Sequence, residues 1–141
     1  MTLFDIRGNL VTRTVIRYKI HWNGKSRSKL QCRVKQLLKP IWSVDVVFEE
    51  FPVFGSLLKI DFYNGTKRIA VEVNGPQHDK FNKFFHDDSP LKWVKSIKRD
   101  MRKYEWCERN KIRLVEIIEA DLNDLASFYQ RIQNADFKPT S

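Results

Sequence analysis

Two carboxylates set inside apolar strand sequence constrain this chain more than any other feature. Residues 57–63, LLKIDFY, and 68–73, RIAVEV, both alternate as half-buried strands do, and the Asn64-Gly65 pair between them is a hairpin turn signal. Asp61 falls within the first strand and Glu72 within the second. A carboxylate among apolar neighbours is costly to bury unless a cation pairs with it. Two of them on paired strands offer hard oxygen ligands to a shared divalent ion. The plainer alternative is that each acid faces water or meets Lys59, Lys67 or Arg68.

The 141 residues are 42% apolar and 13% aromatic, enough for one folded domain with its own core. No apolar run approaches the ~20 residues of a membrane span, and no secretory leader pattern opens the chain. The two cysteines, Cys32 and Cys107, form no paired motif and suit a reducing compartment. The expectation is a soluble, cytoplasmic protein with no membrane partner. Charge is distributed unevenly. Residues 1–39 hold ten of the 26 Lys and Arg but one of the 17 acids, so the whole net charge of +9 resides there and the remainder balances. A segment this basic, interleaved with Tyr18 and Trp22, suits contact with nucleic-acid phosphates. Arg17, Lys19, Arg27 and Lys29 are its candidate contacts, joined by Lys95 and Arg99 from a later helix.

Along the chain, Leu3–Ile6 and Leu10 onward flank an Arg7-Gly8-Asn9 turn as an opening hairpin. From Val15 to Trp22, alternation predicts a strand with Ile16, Tyr18, Ile20 and Trp22 on one face and Arg17, Lys19 and His21 on the other. Ser28-Lys29-Leu30-Gln31 fits a capping box for a helix that buries Leu30, Val34, Leu37 and Leu38, exposes Lys29, Arg33 and Lys35, and stops at Pro40. Val44–Phe51 reads as a strand whose Glu49 and Glu50 point to opposite faces. Beyond the hairpin, Phe81, Phe84 and Phe85 lie in a polar loop, as nucleic-acid wedges or as packing under the loop. Ser89-Pro90 opens a long helix with Val94, Ile97, Met101 and Tyr104 as its buried stripe and Asn110 as a left-handed C-cap. Ile112–Ile118 is then a strand reached by a crossover, parallel to the Glu72 strand. Asp121 caps a final helix with Leu122, Leu125, Phe128, Tyr129 and Ile132 inward, and a tail begins at Ala135. This order of elements predicts an α/β fold with a mixed sheet.

After Glu72 the chain reads Val73-Asn74-Gly75-Pro76-Gln77-His78. With Asp61 upstream, this segment resembles the PD-(D/E)XK nuclease superfamily, and within it the very-short-patch-repair-like branch and small phage-encoded endonucleases. Their signature is an Asp, a short spacer, Glu-x-(Lys/Asp/Asn)-Gly and a Gln-His pair. The resemblance extends over roughly Ser28–Ile117. Ile60 stands where the family has Pro, and Asn74 stands where it usually has Lys.

The resemblance implies a single restriction-endonuclease-like domain with an αβββαβ core over 26–134, a basic N-terminal β-arm over 1–25 and a tail over 135–141. It implies a metal-dependent DNA endonuclease, of the homing or nicking kind, that hydrolyses phosphodiester bonds of duplex DNA. Asp61, Glu72 and the Val73 carbonyl would hold Mg²⁺ or Mn²⁺. Asn74 would orient water, and Gln77 and His78 would assist, with His78 taking or relaying a proton. Asp100, in Asp100-Met101-Arg102-Lys103, matches a family Asp-x-x-(Arg/Lys) and would support the site alongside Glu50, although an ion pair with Lys103 explains it equally. A homodimer or higher oligomer is compatible with this reading. Two alternatives stay open. Asn74 and a first helix with no acid, only Gln31, suit a nuclease-like protein that binds nucleic acid without cutting, whereas a structure-selective Holliday-junction resolvase is marked by dimerisation and a preference for four-way junctions. An HNH-type site using Asn74, His78 and His86 lacks the compact metal cradle that chemistry needs.

Overall fold

A four-stranded mixed sheet, covered by helices on both faces, organises the computed structural model, which describes residues 1–74 and 101–137. After a small hairpin of β1 (Thr2–Phe4) and β2 (Leu10–Thr12) come α1 (Lys29–Trp42), β3 (Val47–Pro52), β4 (Lys59–Asn64) and β5 (Ile69–Asn74). Helix α2 covers 101–109 of the described chain, followed by β6 (Arg113–Ile118) and α3 (Leu125–Phe137). The large sheet has the order β3-β4-β5-β6. Its first three strands are antiparallel and β6 runs parallel to β5, from Ile69 opposite Arg113 to Asn74 opposite Ile118. This is the mixed α/β arrangement expected from the order of sequence elements. Among the described residues no helix is long and apolar enough to cross a membrane.

Each sheet face carries its own core. Val34, Leu38 and Trp42 of α1 meet Phe62, Val71 and Ile117 of the sheet and Phe128 and Ile132 of α3 on one side. On the other, Phe48, Phe51, Ile60 and Tyr63 pack with Trp106 and Cys107 of α2 and with Leu3 of β1. The hydrophobic burial that drives these contacts is stripe against face, the usual way helices dock on sheets.

Several local expectations give way to tertiary demands. Residues 15–22 do not form a strand: Ile16–Tyr18 is a 3-10 turn, Ile16 is exposed, and the segment touches the sheet through Lys19 opposite Phe48 and the Ile20 N–H on the Val47 carbonyl. The chain here must step from the small hairpin to the β3 edge, so only that short contact pairs. Pro40 does not end α1, which continues to Trp42, with the Ser43 N–H bonded to the Lys39 carbonyl. So late in the helix, proline's missing donor is confined to the final turn. The Ser28 hydroxyl caps the helix by accepting from the Gln31 N–H, whereas the Gln31 side chain turns inward instead of back to the cap. Lys35 is also inward and fully buried.

In the described part of α2, Trp106 and Cys107 are buried, as is Asn110 just after it, whereas Met101 and Tyr104 are exposed; Val94 and Ile97 lie outside the described residues. The left-handed residue after this helix is Lys111 (φ 56°), not Asn110. Asn110 is used elsewhere: its Oδ1 accepts from the Phe4 N–H at 2.7 Å, and its Nδ2 donates to the Phe4 and Trp106 carbonyls. Trp106 Nε1 donates to the same Phe4 carbonyl at 2.7 Å. Asp121 does not cap α3. Its carboxylate accepts from the Ile118 N–H and pairs with Arg131, and Asp124 accepts from the Ser127 N–H at the true start. Helix α3 continues through Phe137 with Ala135 buried, beyond the point where the sequence reading begins its tail.

The hairpin formed by β1 and β2 is therefore latched to the end of α2 by a buried amide. Asn110→Ala leaves the Phe4 N–H without its acceptor, and the expected loss is about 2 kcal/mol of unfolding free energy. Denaturant titration checks the loss, and amide exchange at Phe4 should rise more than exchange in β4 and β5.

Candidate active site

The site forms where regular sheet pairing stops. Antiparallel β4 and β5 pair from Asn64–Ile69 up to Phe62–Val71, which puts Asp61 and Glu72 next in register. At that step the side chains take over from the backbone ladder. The Asp61 N–H donates to Glu72 Oε1 at 3.0 Å, and the Val73 N–H donates to Asp61 Oδ2 at 2.8 Å. Each strand thus presents a carboxylate to the other's backbone, and both acids are held at one point. Asp61 is 3% exposed.

The neighbouring strand is irregular at the same level. Pairing of β3 with β4 continues on both sides of Glu50 but skips it, and Glu50 has φ 52°, a left-handed conformation uncommon for a residue with a side chain. Strict alternation would put Phe51 on the face of Val47 and Glu49, yet Phe51 shares the second core with Phe48. The turn at Glu50 supplies the reversal. It also brings Glu49 and Glu50 to one side, contrary to the alternation reading, because both carboxylates accept from Gln31 Nε2, at 2.8 and 3.1 Å.

Cations arrive from both faces of the sheet. Arg27, just before α1, sits 3.3 Å from Asp61 Oδ1 and 3.8 Å from Glu50 Oε1 with a side chain 65% exposed. From α2, Lys103 Nζ donates to Glu72 Oε2 at 3.1 Å. Among the described residues, Arg27 and Lys103 are the cations paired with Asp61 and Glu72, in place of the Lys59, Lys67 or Arg68 considered from sequence. Beneath them, buried Lys35 donates to Glu49 Oε1 at 3.0 Å and to the His21 carbonyl at 3.1 Å, and the Ser26 hydroxyl donates to Glu49 Oε2 at 2.7 Å. Gln31 Oε1 is buried and has no donor among the described residues.

Electrostatic strain is concentrated on Glu72. Burial, and then the proximity of Asp61, push its carboxyl up to about 7, partly opposed by Lys103. Asp61 is also raised, by burial first, against the Val73 N–H and Arg27. Two buried carboxylates this close resist ionising together. Burial, and then Glu72, push the buried Cys107 thiol up to about 12, so it stays neutral.

Among the residues anticipated from sequence, Asp61, Glu72 and Glu50 come together with Arg27. Asn74 ends β5 beside them, but its amide donates to Glu116 of β6 and makes no bond to the acid pair. The Val73 N–H is the group that engages Asp61. Arg17, Lys19 and Lys29 are exposed, with Arg17 stacked 4.9 Å over the Tyr18 ring. Gln77, His78, Lys95, Arg99, Asp100 and the Phe81–Phe85 loop lie outside the described residues. Lys103 is the participant that sequence reasoning missed. It stands at the end of the Asp100-Met101-Arg102-Lys103 motif, where attention fell on the acid, and it lies one turn from buried Trp106 and Cys107. That spacing was the available signal that it turns inward.

A cleft of about 510 Å³ opens on the α2 side, lined by Glu72, Asn74, Lys103, Tyr104, Glu105 and Glu116. Among the described residues its lining carries four glutamates, Glu72, Glu105, Glu108 and Glu116, against one cation, Lys103. On the other side, Arg27 contacts Asp61, and Lys25 and Lys29, near it in sequence, are exposed.

The upward displacement of Glu72 has a measurable sign. Between pH 4.5 and about 7 the folded state holds a proton that the unfolded chain has released, so stability falls as pH rises through this window. The contribution is fully present below pH 4.5 and is lost above about 7, with a size on the order of 3 kcal/mol. Chemical denaturation of metal-free protein across this range checks it. Glu72→Gln should lack this component, and the difference between the two pH profiles isolates it.

No protein-family model matches the chain, and no solved structure matches it. It is similar to "Uncharacterized protein 033L" of Invertebrate iridescent virus 3, at 33% identity over 119 residues. The match covers 79% of this chain and 60% of the viral protein, so the chain spans less than two thirds of that relative's length.

Proposed function

We propose that the protein is a metal-dependent DNA endonuclease built on a PD-(D/E)XK-like core. The observation that carries this reading is the interlocked pair Asp61 and Glu72 at the point where β4 and β5 stop pairing, with Arg27 and Lys103 against them. Buried acids in mutual repulsion are what a site for a hard cation requires, and the order α1-β3-β4-β5-α2-β6 agrees with that family's core.

The donor set fits Mg²⁺ or Mn²⁺. Two carboxylates contribute, and among the described residues no group of three or more His, Cys, Asp or Glu gathers as a closed cage. Mg²⁺ commonly binds in this way, through one or two carboxylates with waters and substrate phosphate completing its shell. Such an ion supplies charge neutralisation at the phosphoryl group and a more acidic water. Hydrolysis joins water oxygen to phosphorus and breaks the bond to a sugar oxygen, with one proton leaving the water and one reaching the leaving oxygen. Arg27 is placed to bind a phosphate beside the carboxylates. The Lys103 ammonium supplies the positive charge that Asn74, in the usual lysine position, does not. His78 and Gln77 remain the proposed proton-handling and water-orienting groups.

One observation favours the alternative of binding without cleavage. All four oxygens of Asp61 and Glu72 already accept from, or pair with, groups of the protein itself. Supercoiled plasmid, with and without Mg²⁺ or Mn²⁺, separates the two readings. Metal-dependent nicking or linearisation is the expected result. Asp61→Asn and Glu72→Gln should abolish it while leaving circular dichroism and DNA affinity near wild type. Lys103→Met should lower the rate by about two to three orders of magnitude, the usual effect of removing one charge-stabilising donor. Binding with no turnover on any substrate or metal selects the non-cleaving reading, and full activity in either carboxylate variant moves the site elsewhere.

A further inference from the structure

We infer that Arg27, braced by Glu50, is a resident counter-cation which holds Asp61 of the Asp61–Glu72 pair against a divalent metal in the free protein, and that a nucleic-acid phosphate releases this carboxylate by drawing the guanidinium away. Metal and nucleic acid then load the site cooperatively. The inference rests on the metal-site reading above and adds a coupling device to it.

The geometry is that of a hold meant to be broken. Asp61 Oδ2 is committed to the Val73 N–H at 2.8 Å, so Oδ1 is the oxygen left for an incoming ion. Oδ1 is also where Arg27 sits, at 3.3 Å, with its Nε 3.8 Å from Glu50. Both distances exceed those of a tight charge-assisted pair, and neither makes the bidentate fork that guanidinium forms at its strongest. With its side chain 65% exposed, Arg27 stays hydrated while it makes these contacts, and a competing ligand can replace them. A phosphate offers the same guanidinium a better bidentate partner.

The other cations of the cluster differ. Lys35 is fully buried and bonded to Glu49 and to the His21 carbonyl, and Lys103 is 18% exposed and bonded to Glu72. Arg27 is therefore the displaceable member among the described residues. It precedes α1 at Lys29, in the basic segment with Lys25 and Lys29 exposed alongside, and so meets a phosphate backbone before the acids do. Glu50 helps hold Arg27 in place. Its left-handed backbone turns the carboxylate to the side of the sheet end where Arg27 and Gln31 lie. Like charge at 3–4 Å from the shared oxygen disfavours a divalent ion while Arg27 stays, and removing it lifts that opposition.

By linkage, what nucleic acid does for metal, metal does for nucleic acid, and couplings of this sort span about 5–150-fold. The test is Mn²⁺ alone titrated into free protein and followed by loss of its EPR signal, with Asp61→Asn as the control for the site. Arg27→Gln should bind Mn²⁺ about tenfold more tightly than wild type. Arg27→Lys, which keeps the charge without the fork, should fall between them. Binding of a short DNA duplex by anisotropy should move the opposite way, weaker in Arg27→Gln, with a smaller gain on adding Mn²⁺. A structural role for Arg27 would weaken both. Asp61-dependent Mn²⁺ binding with equal affinity in wild type and Arg27→Gln overturns the coupling and leaves the metal site standing. Mn²⁺ binding that is absent, or indifferent to Asp61→Asn in every background, overturns the metal site and the coupling with it.

Discussion

The exchange of hydrogen bonds between Asp61 and Glu72 is the interaction on which the rest of the site depends. At Phe62–Val71 the β4–β5 ladder is ordinary. One residue further, two N–H groups are satisfied by carboxylates instead of carbonyls. Buried backbone donors need acceptors, so the side chains can hold this position only because they complete the strands' own hydrogen bonding. The acids are consequently part of the sheet's structure and also its least comfortable charges. Glu50, opposite Asp61 in the register of β3 and β4, takes up the resulting irregularity with a positive φ.

A buried anionic cluster of this kind is tenable only with cations delivered to it, and the layered fold decides where they come from. Helix α1 and its N-terminal approach supply Arg27 and Lys35 from one face of the sheet, and α2 supplies Lys103 from the other. The three cations differ in burial and hence in freedom. Lys35 is locked among carbonyls and Glu49, Lys103 is largely enclosed, and Arg27 stands largely in solvent. Anchored ions set the geometry, and the exposed one can answer to a ligand. The orientation of α2, which fixes where Lys103 reaches, is secured at its far end by the buried Asn110 and Trp106 bonds to Phe4. The small N-terminal hairpin thus has a structural purpose as well as lying within the basic segment.

Much of this plan was legible in the sequence. Alternation around Asn64-Gly65 located the hairpin and both acids, and the spacing of Val34 and Leu38 found the inner face of α1. Failures cluster where a residue's neighbours come from distant segments. Lys35 reads as an outward position and is buried, and Gln31, read as part of a capping box, turns its side chain inward, because Glu49 lies beneath α1 to receive both. Residues 15–22 alternate like a strand, but the β3 edge accepts them only at Lys19 and Ile20. Asn110 looked like a helix end and is a buried clamp on a strand more than a hundred residues away.

The sequence by itself determined the β4–β5 hairpin, the inner face of α1 and the two carboxylates, since local alternation, turn residues and side-chain spacing depend on neighbours a few positions apart. The resemblance at Asp61–His78 likewise lies within one continuous stretch. Only the tertiary structure decided which cations meet those acids. Lys59, Lys67 and Arg68 are near in sequence, yet Arg27 and Lys103, thirty or more residues away, make the contacts. Pairing of charges in a folded chain is governed by which helix is packed over which strand end, and that packing follows from burial of Trp42, Trp106 and Phe51 in the two cores, not from any charge.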